Sequence, residues 1–548
     1  MEASASSGVK RKRGGQQQRI ARAAAEDVAK ETDSKLSDYL VDQMSWGYMS
    51  PQQVQRIADL AHCDVQAALS SERVPNNLES LANAGTRGQH ANKCYGDVMK
   101  AATRSSELHV SAPMLVSIPF RHPVGNRMQA MLLPHQLFSD IYHHHRATWE
   151  QCILGPPGDL QQFWSVTSSH PAVTPAMKAR KDLADRCVPL CLHGDGVPLT
   201  GRGKAWQQLM TDFSWYSLIG RGNTSEVLYL IWGMFDKLHS GEENGQTVIT
   251  KESSPCTLCQ CTKYGGSSWM DFGPGAAWQA SCWAPVPWKS WPGRSPCILF
   301  QLSNLSACNV AMDWMHIKYL GADQYNYASV FFLLTHHILP GTPAQNMEVI
   351  WREIQHIYKR DDIPSRFRYL NTVRMFLRKN NMVKLRGKAA EIRHLHGPLL
   401  EIWQRHMVQA VAIHRKIRVM LKLNTTLEGI LTNSKGDFAL CAEDAAQFQD
   451  ATMGWLLLQK ELQDHFSDSD VPLFNVTEKS HFIEHAALLA RYINPRMVWC
   501  FAGEDQQRRT QQLAETCMKG LGPAKASLKM MSRYRLALGR LFSKHGHV

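Results

Sequence analysis

The sequence predicts a mixed α/β protein. Three patterns predict it: strand-like apolar runs concentrated between residues 187 and 340, an almost unbroken helical pattern from about 344 to 465, and a small helical unit opening at Ser34. At 548 residues, 44% hydrophobic and 20% charged, the chain has ordinary globular composition and room for several domains. Fibrous and wholly disordered classes are excluded. Its longest apolar stretches, such as Val227 to Trp232 and Val330 to Leu334, fall far short of the roughly 20 residues of a membrane span, so no membrane is expected as a partner. The N-terminus offers Lys10-Arg11-Lys12-Arg13 instead of an apolar leader, which argues against secretion.

Residues 1–33 are small, polar and charged and read as a disordered basic arm. Leu36, Tyr39, Leu40 and Met44 then mark a helix that breaks at Trp46-Gly47, and Val54, Ile57, Ala58 and Ala61 mark a second one restarted by Ser50-Pro51. These form a small helical unit placed at 34–93, with 71–110 read as loop-rich. A β-like run, Met114 to Phe120, and a helix, Leu132 to Tyr142, follow. The triplet His143-His144-His145 is read as solvated, since adjacent residues do not share a helix face.

Strand formers next appear at Cys187 to Leu192, Phe213 to Ile219, Val227 to Trp232 (which suits a helix equally) and Cys297 to Leu302. The first leads into Gly194-Asp195-Gly196, where a carboxylate at a strand end between glycines leaves room for a cation and a phosphate. Gly201-Arg202-Gly203-Lys204 fails as a phosphate loop, because Ala205 stands where a Ser or Thr is needed. Asp313 and His316 form a DxxH pair, and Glu504 opens a helical pattern after the apolar run Arg496 to Phe501. Asp195, Asp313 and Glu504 are therefore the candidate acids for Mg²⁺-dependent phosphoryl transfer.

The 14 cysteines are scattered, which suits reduced thiols in a nuclear or cytosolic setting, except for Cys256-x-x-Cys259-x-Cys261, a zinc half-site. Its fourth ligand stays open among Cys282, Cys297, His316 and His239. His481-x-x-x-His485 has helical ligand spacing but reads as a helix-surface or structural pair, because its acid, Glu484, is out of order for a zinc protease.

Lys and Arg number 61 against 48 Asp and Glu, a net charge of +13, and residues 351–430 alone hold 17 against 6. A second basic segment closes the chain, with seven Lys or Arg and no acid after Glu515. Such concentration points to phosphate binding. Arg374, Arg378, Lys379, Lys384, Arg386, Arg415, Lys416 and Arg418 are the candidate nucleic-acid contacts.

At these residues the sequence resembles the DDE transposases with an RNase H-like fold, particularly the CACTA and related groups with a large helical insertion. HGDGVPLTG at 193–201 resembles the strand bearing their first aspartate, PCTLC at 255–259 their CPxC element, and MDWMHIKYLG at 312–321 their DxMH block. Lys479-Ser480-His481, Asn494-Pro495-Arg496 and Phe501-Ala502-Gly503-Glu504-Asp505 resemble their late KxHxxxH and acidic-helix end. The resemblance implies an RNase H-like core split between 110–343 and 474–548, with 344–465 as a basic helical insertion gripping DNA. It makes Asp195 a metal ligand, Asp313 a catalytic or pocket acid and Glu504 the third acid. The family also places an aspartate-bearing strand before CPxC, whereas the residues here between Trp232 and Pro255 are polar and offer Asp236, with Asp271 beyond.

The expectation is a nuclear, transposase-derived DNA-binding protein, either cutting DNA with Mg²⁺ or acting as a noncatalytic, zinc-stabilised DNA- or protein-binding scaffold. Its expected partners are DNA and further copies of itself.

Overall fold

The computed structural model describes residues 34–68, 75–104, 108–120, 125–200, 208–235, 255–256, 258–282, 305–518 and 523–545. The basic arm, Gly201 to Lys204, Asp236, His239 and the run Cys297 to Leu302 lie outside the described residues. The chain divides into two compact units, the first holding 1–155, 192–243 and 503–548, the second 156–191 and 244–502.

In chain order come α1 (Lys35–Ser45), α2 (Pro51–Ala68), α3 (Asn76–Ala82), α4 (Ala91–Arg104), β1 (Met114–Pro119), β2 (Asn126–Met131), α5 (Pro134–His144) and α6 (Asp159–Thr167). Next are β3 (Leu190–Thr200), β4 (Gln208–Ser217) and β5 (Tyr229–Phe235). The later helices are α7 (Asp323–Leu333), α8 (Pro343–Arg360), α9 (Ala389–Arg393), α10 (His396–His406), α11 (Ala412–Asn433), α12 (Ala442–His465), α13 (Glu478–Leu489), α14 (Phe501–Met518) and α15 (Pro523–His545). The fold is thus mixed, helices with small antiparallel sheets, as the sequence predicts.

In the first unit, Ser34 caps α1 by accepting from the Ser37 N–H, and Leu40, Val41 and Met44 bury one face. The expected break after α1 has a steric cause as well as a conformational one. Gly47 sits at φ +87°, and a Cβ there would stand 2.8 Å from Leu513 Cα. Residues 71–110, expected to be loop-rich, instead hold α3 and α4; the buried stripe of α4 is Cys94, Val98 and Ala102, one turn apart. Arg533 of α15 is wholly buried and spends its guanidinium on the C-terminal carbonyl of Met44 in α1 and, at 2.8 Å, on the Thr516 hydroxyl.

β1 and β2 form an antiparallel hairpin, Met114 opposite Met131 through Pro119 opposite Asn126. The other sheet runs in the order β3-β4-β5, with β4 and β5 antiparallel and a bulge at Phe213/Ser214. Here two expectations shift. Of Val227 to Trp232, the residues from Tyr229 on are strand while Val227 ends a short helical turn, and Gly194-Asp195-Gly196 is not a turn at a strand end but part of the extended β3. Helix α15 packs on β2 and β5, where the Tyr534 hydroxyl accepts from the Leu230 N–H at 3.1 Å.

The second unit is built around a π-helical segment, Met315–Ala322, that runs into α7. Its core joins α7, α8, α10, α11, α12 and α13 through side chains such as Tyr327, Ile350, Trp403, Leu427 and Trp455. The helical pattern expected across 344–465 is interrupted between α8 and α9, where Leu377 and Val383 make an isolated antiparallel bridge. Lys318 lies inside, fully buried, and donates to Asp323 Oδ2 at 2.8 Å, Asn424 Oδ1 at 2.7 Å and Glu428 Oε1 at 2.9 Å. Glu428 Oε2 in turn accepts from Tyr319 and Arg393, both at 3.0 Å, and Asn424 Nδ2 donates to Asp323 and Tyr327.

Breaking such a buried set from one side leaves charge without a partner. Lys318→Met is expected to destabilise the protein by about 3–5 kcal/mol. Urea unfolding checks this, and an unchanged midpoint would show that the network carries no stability.

Candidate metal centre and acidic pair

Two constellations stand out, one in each unit. The stretch 255–282 of the second unit has little regular structure, and its interior consists of Cys256, Cys259, Cys261 and Trp278. Across from it, α13 presents His481 and His485, one turn apart and therefore on one face. Cys256 Sγ is 3.4 Å from His485 Nε2, Cys259 Sγ is 3.2 Å from His481 Nε2, and the two Nε2 atoms are 3.0 Å apart. All four ligand atoms lie within 4.8 Å of one another, and all four residues are buried.

The donor set fits zinc. A tetrahedral ion with Zn–S of about 2.3 Å and Zn–N of about 2.0 Å holds its ligand atoms roughly 3.3–3.8 Å apart, close to the spacing found. The second shell is present too: His481 Nδ1 lies 3.0 Å from the Trp269 carbonyl, which fixes the proton there and turns Nε2 to the centre. Trp278 packs against both rings, at 4.4 Å from His481 and 5.0 Å from His485. Hydrogen bonds from Cys259 and Cys261 hold the Cys256 thiol below the usual range against its burial, the same contacts raise Cys259, and against its own burial the bonds of His485 to Cys256 and Cys282 hold that ring up at about 9. Burial lowers His481, leaving it neutral as a ligand must be.

Sequence reasoning found Cys256 and Cys259 but misassigned the rest. His481 and His485 are buried partners of the thiols, not a helix-surface pair. Cys261 touches Cys256 and Cys259 without belonging to the four, with its thiol pushed up to about 12. Cys282 stands 3.7 Å from His485 Nδ1, while His316 pairs with Asp313.

In the first unit, Asp195 on β3 and Asp212 on the neighbouring β4 form an acidic pair. Gly194 lets the strands approach: a Cβ there would meet the Phe213 ring at 3.1 Å and the Asp212 carbonyl at 3.5 Å. Asp195 Oδ1 accepts from the Gly196 N–H at 2.6 Å, and Oδ2 accepts from the Gln507 amide of α14. Glu504, exposed, lies one turn earlier on the same helix. Asp212 is 1% exposed, and its Oδ1 has no hydrogen-bond partner among the described residues. Burial, then the Asp195 charge, push its carboxyl up to about 7, with the Thr510 hydroxyl only partly offsetting them. The signal for Asp212 in the sequence is an acid in step with Met210 and Ser214, on the buried face of a strand.

Asp313 belongs to the second unit, and its carboxylate is heavily engaged. Oδ1 accepts from the Met315 N–H at 3.0 Å and the Cys500 N–H at 2.9 Å, and Oδ2 bonds His316. Burial alone would raise its pKa, but these partners hold it below the usual range. Asp271 receives the Gly273 N–H at 3.0 Å in a surface turn.

The eight basic candidates divide. Arg374, Arg378, Lys379, Lys384 and Arg386 lie in the bridged loop between α8 and α9, with Arg374, Lys379 and Arg386 exposed. On α11, Arg415 donates to the Gln409 and Ala410 carbonyls, Lys416 pairs with Glu461, and Arg418 reaches Gln409 Oε1 at 3.4 Å. No helix among the described residues is long and apolar enough to cross a membrane. No protein-family model matches the chain, and no close match is found among curated proteins.

Two measurements test these sites. Metal analysis of the purified chain should find about one zinc per chain, lost in His485→Ala and kept in Cys261→Ser; loss in both, or in neither, would refute the assigned ligands. For Asp212, a pKa raised from 3.8 to about 7 by folding means that its contribution to stability is full below about pH 4 and lost as pH rises through 7. Asp212→Asn should flatten that fall in urea unfolding without added divalent metal, and an unaltered slope would rule the effect out.

Proposed function

We propose that the protein is a transposase-derived, zinc-stabilised DNA-binding protein whose RNase H-like core carries a divalent-metal site at the Asp195–Asp212 pair. The observation that carries this reading is the pairing of two carboxylates on adjacent strands, one of them buried with an unpartnered oxygen. A buried carboxylate beside a second carboxylate is costly unless a proton or a cation neutralises it. Asp195 and Asp212 would hold Mg²⁺, with Glu504 the further acid on α14; bound there, the ion would supply Lewis-acid stabilisation to a phosphodiester oxygen. Gln507 orients Asp195 by hydrogen bonding its Oδ2. Asp212 thus takes the place in this reading that the sequence offered to Asp236 or Asp271.

A second reading, the noncatalytic zinc-stabilised scaffold for DNA or protein, is favoured by a different observation. Asp313, the acid of the DxMH-like block, spends its carboxylate on two backbone amides and His316.

Nicking of supercoiled DNA with Mg²⁺ or Mn²⁺, beside a salt-titrated binding assay, separates the two. The first reading expects nicking that falls at least about a hundredfold in Asp195→Ala and in Asp212→Asn while binding persists. Binding without nicking selects the scaffold, and nicking indifferent to both substitutions removes the pair from the chemistry.

A further inference from the structure

Arg496 is half-buried, and among the described residues no carboxylate forms an ion pair with it, Glu428 attracting it only from farther off. Its guanidinium donates to the Leu431 carbonyl at 3.1 Å and lies over the Trp499 ring, 4.3 Å from the centroid. Arg393 lies over the same ring at 5.0 Å, so two like charges share one indole. Arg393 is compensated by Glu428 at 3.0 Å. One cationic charge is therefore left over, beside an indole that both arginines frame.

Nothing in the packing requires this arrangement. A guanidinium that only closed a helix end would be better placed away from a second one. The arrangement does suit a phosphodiester, which accepts two planar forks of donors, next to a ring on which a base can stack. The same pairing of cation and ring recurs in this unit, where Lys384 lies over the Tyr325 ring at 5.1 Å. Cations alternating with aromatic rings are the chemistry of single-strand recognition, because every base has a π-face and every linkage a charge. Duplex binding would need no indole.

We infer that Arg393, Arg496 and Trp499 form a subsite for single-stranded nucleic acid, in which the guanidiniums hold a phosphodiester and the indole stacks a base. The inference rests on the nucleic-acid part of the function proposed above and is independent of the acidic pair. Arg496 is the better residue to test, because Arg393 also serves Glu428.

The test is fluorescence anisotropy of a labelled thymidine oligonucleotide with the full zinc-loaded chain across a salt series. Arg496→Gln should weaken binding about five- to tenfold and lower the slope of log affinity against log salt by roughly 0.7–1, with zinc content unchanged. In parallel, the wild-type chain is photocrosslinked to the same oligonucleotide carrying 5-iododeoxyuridine, a readout that survives any misfolding of the variant. Crosslinked peptides containing Trp499 support the subsite. Wild-type binding with crosslinks confined to other peptides, or with affinity and slope unmoved by Arg496→Gln, overturns the subsite alone; absence of binding by the wild-type chain overturns the nucleic-acid reading with it.

Discussion

Lys318 carries a full charge where there is no water, and the second unit is arranged to answer it. An ammonium so placed costs several kcal/mol unless every donor is matched. Asp323 at the head of α7, together with Asn424 and Glu428 one turn apart on α11, supplies the match. Glu428 Oε2 is taken up in turn by Tyr319 and Arg393, and Asn424 Nδ2 donates to Asp323 Oδ1 and the Tyr327 hydroxyl, so three helices and the π-helical segment are held in one register by a closed set of hydrogen bonds. The π-helical widening has its own cost in misaligned carbonyls. Lys479 meets it, donating to the His316 and Leu320 carbonyls at 2.9 and 3.0 Å, and Gly321 leaves space for the Lys479 stem, since a Cβ there would stand 2.8 Å from it.

That framework positions both features of functional interest in the second unit. Lys479 opens the helix that presents His481 and His485, and Arg393 joins Glu428 of the network to Trp499. The cysteine-bearing stretch opposite α13 could not order itself by secondary structure. Its bridge, Thr262 to Ser268, is isolated, and its apolar interior is small. A short segment of this kind is held by its cross-links or not at all. With a zinc ion bound, the Cys2His2 set would supply the cross-link, and Gln279 adds a hydrogen bond of 2.9 Å to Glu484 between the two histidines.

What could be read beforehand follows from the range of the interactions. The strand-like runs at 114–120, 213–219 and 227–232, which overlap β1, β4 and β5, the cap and break around α1, and Cys256 with Cys259 are local, and a window of residues contains them. Helix α4 escaped although Cys94, Val98 and Ala102 recur at helical spacing, because the stripe is short and the residues around it are polar. The histidine ligands escaped for another reason: Cys259 and His481 are 222 residues apart, and an i, i+4 histidine pair looks the same on a helix surface as in a metal centre. Asp212 was visible as a residue but not as a member of a pair. Only the pairing of β3 with β4 sets it beside Asp195, and strand pairing is a property of the whole chain.

Both units bury charge, and the difference between them separates architecture from site. Around Lys318 each charged atom has its hydrogen bonds, so the cluster is complete as it stands and asks for no ligand. At Asp212 the account does not close: a buried carboxylate oxygen lacks a partner among the described residues, and the charge of Asp195 on the adjacent strand acts on it. Packing alone gives no reason to keep an acid at that position, because an asparagine or an apolar residue of similar size would avoid the desolvation. On the reading proposed above, a buried acid that the described residues leave unsatisfied beside a second acid is completed by a ligand from outside the chain. By the same criterion Arg496, framed against an indole and short of an anion, belongs with Asp212 and not with Lys318.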